Sequence, residues 1–397
     1  VSLFGLNDAD RVRGDSSAAE TVPGEPFLLR SPEQLAAERR TARRRTTGWT
    51  VLVVALVLGL VMSFLPTPYV VEQPGPVYDT LGSQTVDGKD TPLISIDGET
   101  TYPTEGTLDM LTVSVVGSPQ QTPSWAEIVQ AYFDRSKAVV PLEAVYPPDV
   151  TTEERDEQNA ALMVDSQQEA IAAALSSLGY DFETSVGVAS VPKGSPAEDE
   201  LEAGDVVTSV NGEAVSSIDE LRAAVSENGI DKPAVVDVTR DGTPVEASIT
   251  PITSGDTSVL GIGVQANFEF PFDVRIQLDD VGGPSAGMMF ALGIIDKLSE
   301  GELNGGEKVA GTGTITSDGV VGPIGGIRQK LYGARDAGAD WFLAPASNCD
   351  EVTGHVPDGI RVFAVATLDD SLAALDAISS GDGLDALPTC DAASAAE

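Results

Sequence analysis

Histidine is the scarcest of the side chains that do acid–base work near neutral pH: the chain of 397 residues contains one, His355. A Ser-His-Asp triad would have to be built on it, and a zinc site of the HExxH kind, which takes two histidines a helical turn apart, is excluded. Cysteine is nearly as rare. Cys349 and Cys390 are the two present, and they form no CxxC pair that would signal a zinc ribbon or a dithiol redox site. No GxxxxGK[ST] segment occurs, so nothing in the sequence indicates ATP binding and hydrolysis by the chain itself. Basic residues number 23 against 62 acidic ones, a formal net charge of −39. Nucleic acid is disfavoured as a partner, because phosphate contacts need a basic surface, and an acidic, solvated exterior is the simplest reading. If the chain does hydrolytic chemistry, its base is not expected to be histidine.

What is present begins with a polar stretch, residues 1–45, that reads as a disordered tail and ends in Arg39, Arg40, Arg43, Arg44 and Arg45. From Trp49 the run WTVLVVALVLGLVMSFL continues without charge as far as Glu72, long enough at the helical rise per residue to cross a bilayer core. A transmembrane helix over 46–66 is expected. The flanking arginines argue against a buried core helix, and the lack of an A-x-A-like site before Pro66 argues against a cleaved signal peptide. Arginines stay on the cytoplasmic side, which puts everything after Pro66 outside the cell membrane. There Cys349 and Cys390 either pair and pin the C-terminal tail to the last domain, or remain two thiols.

Residues 67–179 read as a juxtamembrane α/β segment packing with the protein's last domain. A proline-rich extended start leads to a strand at Leu108–Val116, and Ser124/Glu127 and Thr151/Glu154 have capping-box spacing for two helices. From Tyr180 the pattern changes to short strands separated by turns such as Asn211-Gly212 and Asp241-Gly242. The segment GSPAEDELEAGDVVTSVNGEAV, with Gly194, Pro196, Leu201, Gly204, Asp205, Asn211 and Gly212, resembles the core signature of PDZ domains in bacterial envelope proteases. A PDZ-like domain is expected over 180–252. The resemblance implies capture of an extended peptide as an added strand, although Gly179-Tyr180-Asp181-Phe182 is a poor match to a carboxylate-binding loop.

The stretch Asp279–Gly287, DDVGGPSAG, places Ser285 where a strand gives way to the apolar run AGMMFALGIIDKL. Pro284 suits a first helical position, which puts Ser285 in the first turn beside unpaired amides that can stabilise an oxyanion. A glycine turn with a serine cap is the plain alternative, and a base must decide. Lys297 lies twelve residues along the same helix, about 18 Å away. Lys308 sits in the polar loop NGGEK, where an ammonium stays hydrated. Ile327, Lys330, Leu331, Ala334 and Ala337 share one helical stripe, so Lys330 is the lysine expected to point inward. Burial lowers a lysine pKa until neutral amine is available. Neutral Lys330 can then take the proton of Ser285, with the Thr312 hydroxyl orienting the amine.

GGPSAG around Ser285, TGTIT from Thr312 and PIGGIRQK ending at Lys330 resemble three signature blocks of the Lon-type serine-lysine peptidase domain. Together with the anchor and the PDZ-like segment, the stretch from Trp49 to Leu375 resembles the YlbL family of membrane-anchored, PDZ-containing Lon-like proteases. The resemblance implies an α+β fold, a Lon-type proteolytic domain over 253–376 with Ser285 as nucleophile, Lys330 as base and Thr312 in support, no cofactor or metal, and a possible homo-oligomer. Residues 377–397 fall outside it and read as a low-complexity tail. Many ATP-dependent Lon proteins carry an acidic residue three before the serine, where this chain has Gly282; Asp279 and Asp280 lie slightly earlier and are given no catalytic role. The expected activity is ATP-independent cleavage of flexible or unfolded secreted and membrane polypeptides. A non-catalytic PDZ scaffold and a regulator of another protease are the rival readings.

Overall fold

The computed structural model describes residues 32–62, 65–86, 88–148, 150–255, 257–278 and 281–390. The chain divides between Ser63 and Phe64 into two units. The first contains α1 (Pro32–Met62). This helix starts well before the boundary expected at residue 46, so the arginine cluster is helical and not part of a structureless tail. Its first turns, PEQLAAERR, combine a proline at the first helical position with strong helix formers. Within it, Arg45–Met62 has a mean hydropathy of 1.8 and is long and apolar enough to cross a membrane.

The second unit runs in chain order through β1 (Tyr69–Asp79), β2 (Thr107–Val116), α2 (Trp125–Phe133), β3 (Ala138–Pro141) and the long α3 (Thr152–Ser177). A β-rich stretch follows: β4 (Glu183–Ser190), β5 (Val206–Val210), α4 (Ile218–Asn228), β6 (Ala234–Arg240), β7 (Thr243–Ile249) and β8 (Gly263–Glu269). The remainder holds β9 (Asp273–Ile276), α5 (Gly287–Leu298), β10 (Lys308–Gly311), α6 (Ile327–Ala337), β11 (Trp341–Pro345), β12 (Arg361–Val365) and α7 (Leu368–Ser380). The capping boxes at Ser124/Glu127 and Thr151/Glu154 are both formed, each satisfying amides at its helix start.

Two sheets organise this unit. The first has the order β12-β11-β10-β2-β1-β3, parallel from β12 to β2 and antiparallel at β1. Strands from before and after the β-rich stretch therefore share one sheet, and Met110 of β2 sits beside Gly311 of β10, next to Thr312. Helix α5 is apolar all round as far as Ile295, as a core helix must be: Met288, Met289, Phe290, Leu292 and Ile294 are fully buried. Ala170, Ala173 and Ala174 of α3 lie in the same core and, being small, let the two helices approach closely. Truncating a side chain such as Phe290 to alanine in this setting costs about 3–5 kcal/mol.

The second sheet has the order β7-β6-β5-β4-β8 and encloses a separate core of Val186, Val188, Val207, Val236 and Val238 under α4. Two elements reach past expected boundaries. The PDZ-like region was expected to stop at 252, yet β8 supplies the outer strand of its sheet through pairs such as Val264 with Val188. The intervening Gly-rich VLGIGV hides that pairing, because partners this far apart leave no local signature. The C-terminal tail was expected from 377, yet α7 continues to Ser380 with Ala377 and Ile378 buried. Cys390 is then joined to Cys349 by a disulfide. The apolar stripe of α7, Leu368, Leu375 and Ile378, continues across the composition change that suggested a boundary.

Candidate active site

Strand β9 pairs with Ile94–Asp97 and delivers the chain to a strap, residues 281–286, that leads into α5. The helix begins at Gly287, so Pro284 and Ser285 stand in the turn before it rather than in its first turn. The reason lies in the hydrogen bonds. The Gly287 amide donates to the Pro284 carbonyl at 3.4 Å and the Met288 amide to the Gly313 carbonyl at 3.1 Å, so helix-end amides expected to be free are partly engaged. The Ser285 carbonyl accepts from the Gly313 amide at 3.0 Å and from the Thr312 hydroxyl at 2.9 Å. The serine is thereby tied to the segment that follows β10. Asp279 and Asp280 lie outside the described residues.

Lys330 reaches the same point from α6. Gly326 precedes that helix with a left-handed φ of 69°. A Cβ there would stand 2.7 Å from Cγ2 of Val113, so glycine alone lets α6 start against β2. The first turn then carries Lys330 inward, where it is 2% exposed. Its Nζ lies 2.8 Å from Oγ of Ser285 and 2.9 Å from Oγ1 of Thr312. Burial alone brings the Lys330 pKa down from 10.5 to about 7, because a low-dielectric surrounding disfavours the ammonium. The other two lysines stand elsewhere. Lys297 donates to the Leu81 carbonyl at 3.1 Å, and Lys308 is exposed. His355 is engaged with the Thr353 carbonyl, 3.1 Å from its Nδ1.

Ser285 and Lys330 line a cavity of about 470 Å³, walled by Tyr78, Met110, Thr112, Met163 and Val281. Met163 and its neighbours on α3 are contributors that sequence reasoning missed. Asn159, Met163, Ser166 and Ala170 recur at helical spacing, but nothing local says which element they face. Gly282 also finds its explanation there: a Cβ at this position would stand 2.8 Å from that of Asn159, so α3 occupies the space a larger residue would need. Among the described residues no three His, Cys, Asp or Glu side chains are grouped to hold a metal ion.

Residues 277–376 match the Lon protease (S16) C-terminal proteolytic domain. The match contains Ser285, Thr312 and Lys330, and a Lon-type proteolytic domain implies a serine peptidase acting on polypeptides. Residues 157–250 match the PDZ domain, a peptide-binding module. Curated relatives resemble the Lon-type part. Lon protease 1 of Sorangium cellulosum is 39% identical over 94 residues, 23% of this chain and 11% of the relative. Lon protease 2 of Bacillus subtilis is 35% identical over 104 residues, 25% of this chain and 18% of the relative. The chain thus spans a small fraction of the length of these relatives. Among solved structures, the PDZ domain of an SdrC-like protein from Listeria monocytogenes is 27% identical, covering 20% of this chain and 85% of that one with a TM-score of 0.19.

Proposed function

We propose that the chain is a membrane-anchored, ATP-independent serine endopeptidase of the YlbL type, with Ser285 as nucleophile and Lys330 as general base. The observation that carries this reading is the 2.8 Å contact between Ser285 Oγ and an Nζ that is buried with a pKa of about 7. Neutral Nζ accepts the serine proton as Oγ attacks the scissile carbonyl. The Thr312 hydroxyl, held between Nζ and the Ser285 carbonyl, fixes the amine's direction. With the Gly287 and Met288 amides engaged, those of Ser285 and Ala286, which meet no acceptor among the described residues, are the donors at the cavity for the oxyanion. Lys330 then returns its proton to the leaving amine, and a water activated by the same amine releases the acyl group.

The second sheet supports a role in presenting substrate. Strand β8 is its edge, next to α4, and an extended peptide adds there as a further strand. The α1 helix holds the catalytic region on the outer face of the membrane, and the absence of a phosphate-binding loop restricts substrates to flexible or unfolded chains. Incubating the purified full chain in mild detergent with an unfolded protein, without nucleotide, tests the reading. Wild type is expected to cleave it, and Ser285→Ala to lose at least about 1000-fold in rate while keeping its fold. Equal cleavage by the two proteins refutes the assignment; peptide binding without cleavage by either supports the scaffold.

A further inference from the structure

We infer that Ser166, on α3 and outside the Lon-type match, is a positioning residue that aims the Ser285 amide at the oxyanion. This inference rests on the proposed role of Ser285. The Ser166 side chain is 4% exposed, and its Oγ donates to the Pro284 carbonyl at 3.0 Å across 118 residues of sequence. That carbonyl belongs to the peptide unit whose N–H is the Ser285 amide. In a trans peptide the C=O and N–H point in opposite directions. Holding the carbonyl toward α3 therefore directs the Ser285 N–H away from α3. The hydrogen bond also polarises the peptide unit and strengthens its N–H as a donor.

Two further contacts show that α3 grips the strap at more than one point. About two helical turns before Ser166, the Asn159 carbonyl accepts from the Gly283 amide at 3.0 Å. Beyond the serine, a Cβ on Gly287 would stand 2.9 Å from Ser166 Oγ, so the hydroxyl sits directly against the start of α5. Residues 283–287 are thus clamped on both sides of the nucleophile by a helix that carries none of the proposed reacting groups. Ser166 hydrogen-bonds to neither Nζ of Lys330 nor Oγ of Ser285; among the described residues its side chain's partner is the carbonyl behind the serine.

The test compares wild type, Ser166→Ala, Ser166→Thr and Ser166→Cys in the full chain, using a short chromogenic peptide and a peptide boronate that forms a tetrahedral adduct. Ser166→Ala is expected to lose about 10- to 100-fold in kcat, with KM within about twofold and the acid limb of the pH profile unmoved. Boronate affinity falls by the same factor as kcat, because the tetrahedral adduct needs the same amide. Ser166→Thr, which keeps the hydroxyl, recovers most of the loss. Ser166→Cys, a weak donor of similar size, falls between and supplies the reading if the alanine variant does not fold. Wild-type kcat in Ser166→Ala or Ser166→Cys, a loss of kcat without loss of boronate affinity, or a shifted acid limb each overturns the inference. If Ser285→Ala remains active, the proposed function has failed instead.

Discussion

Lys330→Met replaces a buried amine by an apolar side chain of similar length, and its effect on stability reports the protonation state of the wild-type lysine. In the unfolded chain Lys330 holds its proton up to its ordinary pKa of 10.5, whereas in the fold it gives it up near 7. Between those values the unfolded state binds one proton more, so wild-type stability rises with pH. Below 7 both states are protonated and the penalty of burying the charge is present in full. Above 10.5 both are neutral and it vanishes. The shift corresponds to about 4 kcal/mol at neutral pH, of which about 2 kcal/mol is relieved between pH 7 and pH 9. Lys330→Met lacks this dependence. Its lost contacts to Ser285 and Thr312 shift its stability by an amount that does not follow the lysine titration. Urea unfolding of both proteins in mild detergent at several pH values gives the difference, in which other titrating groups cancel. Met is expected to lose about 2 kcal/mol of stability relative to wild type on going from pH 7 to 9. A difference that stays flat across this range would show that the folded lysine keeps its proton, and the general-base assignment would fall with it.

Two other perturbations follow from groups outside the cavity. Asp109 faces Asp79 across β1 and β2, and burial first, then the Asp79 charge, raise its pKa from 3.8 to about 6. The folded state therefore binds the extra proton between about 4 and 6, and stability is lost as pH rises through that window; Asp109→Asn should gain roughly 2 kcal/mol at pH 7 and nothing at pH 3, read from unfolding midpoints. The Cys349–Cys390 disulfide closes a separation of 41 residues, so its reduction should cost about 4 kcal/mol by chain entropy. A midpoint unchanged by reductant would show that the segment leading to Cys390 is held by packing alone.

How much of this was legible in the sequence depended on distance along the chain. The capping boxes need residues three apart, and both were readable at Ser124/Glu127 and Thr151/Glu154. The stripe of α6 put Lys330 on the same face as Ile327 and Leu331, all of which are buried in the structure. The approach of Lys330 to Ser285 was expected from chemistry and from the family resemblance of the blocks around them, not from any local pattern, since it is set by Gly326 against Val113 and by Gly313 against Ser285, contacts between distant segments. The role of α3 was illegible for the same reason. Its small and apolar residues announce a buried face, but Asn159 and Ser166 meet Gly283 and Pro284 only once both segments are packed. Strand β8 was missed because edge pairing with β4 leaves no mark in a glycine-rich stretch.

The meeting of β2 with β10 has a kinetic side. Thr107 pairs with Lys308, so at the usual 5–20 residues per second of synthesis the ribosome needs about 10–40 s to supply the second strand after the first. During that interval β2 offers an unpaired edge lined by residues destined for the core, the kind of edge that invites pairing with other chains. The intervening sheet limits the difficulty by the way it closes: Glu183 at the start of β4 is the partner of Glu269 at the end of β8. Just outside that pair, Tyr180 meets Phe272 ring to ring at 5.1 Å. A segment that leaves and returns at one place can fold as a closed loop without prying apart the strands it separates. Once it has folded, it shortens the search that brings β10 home.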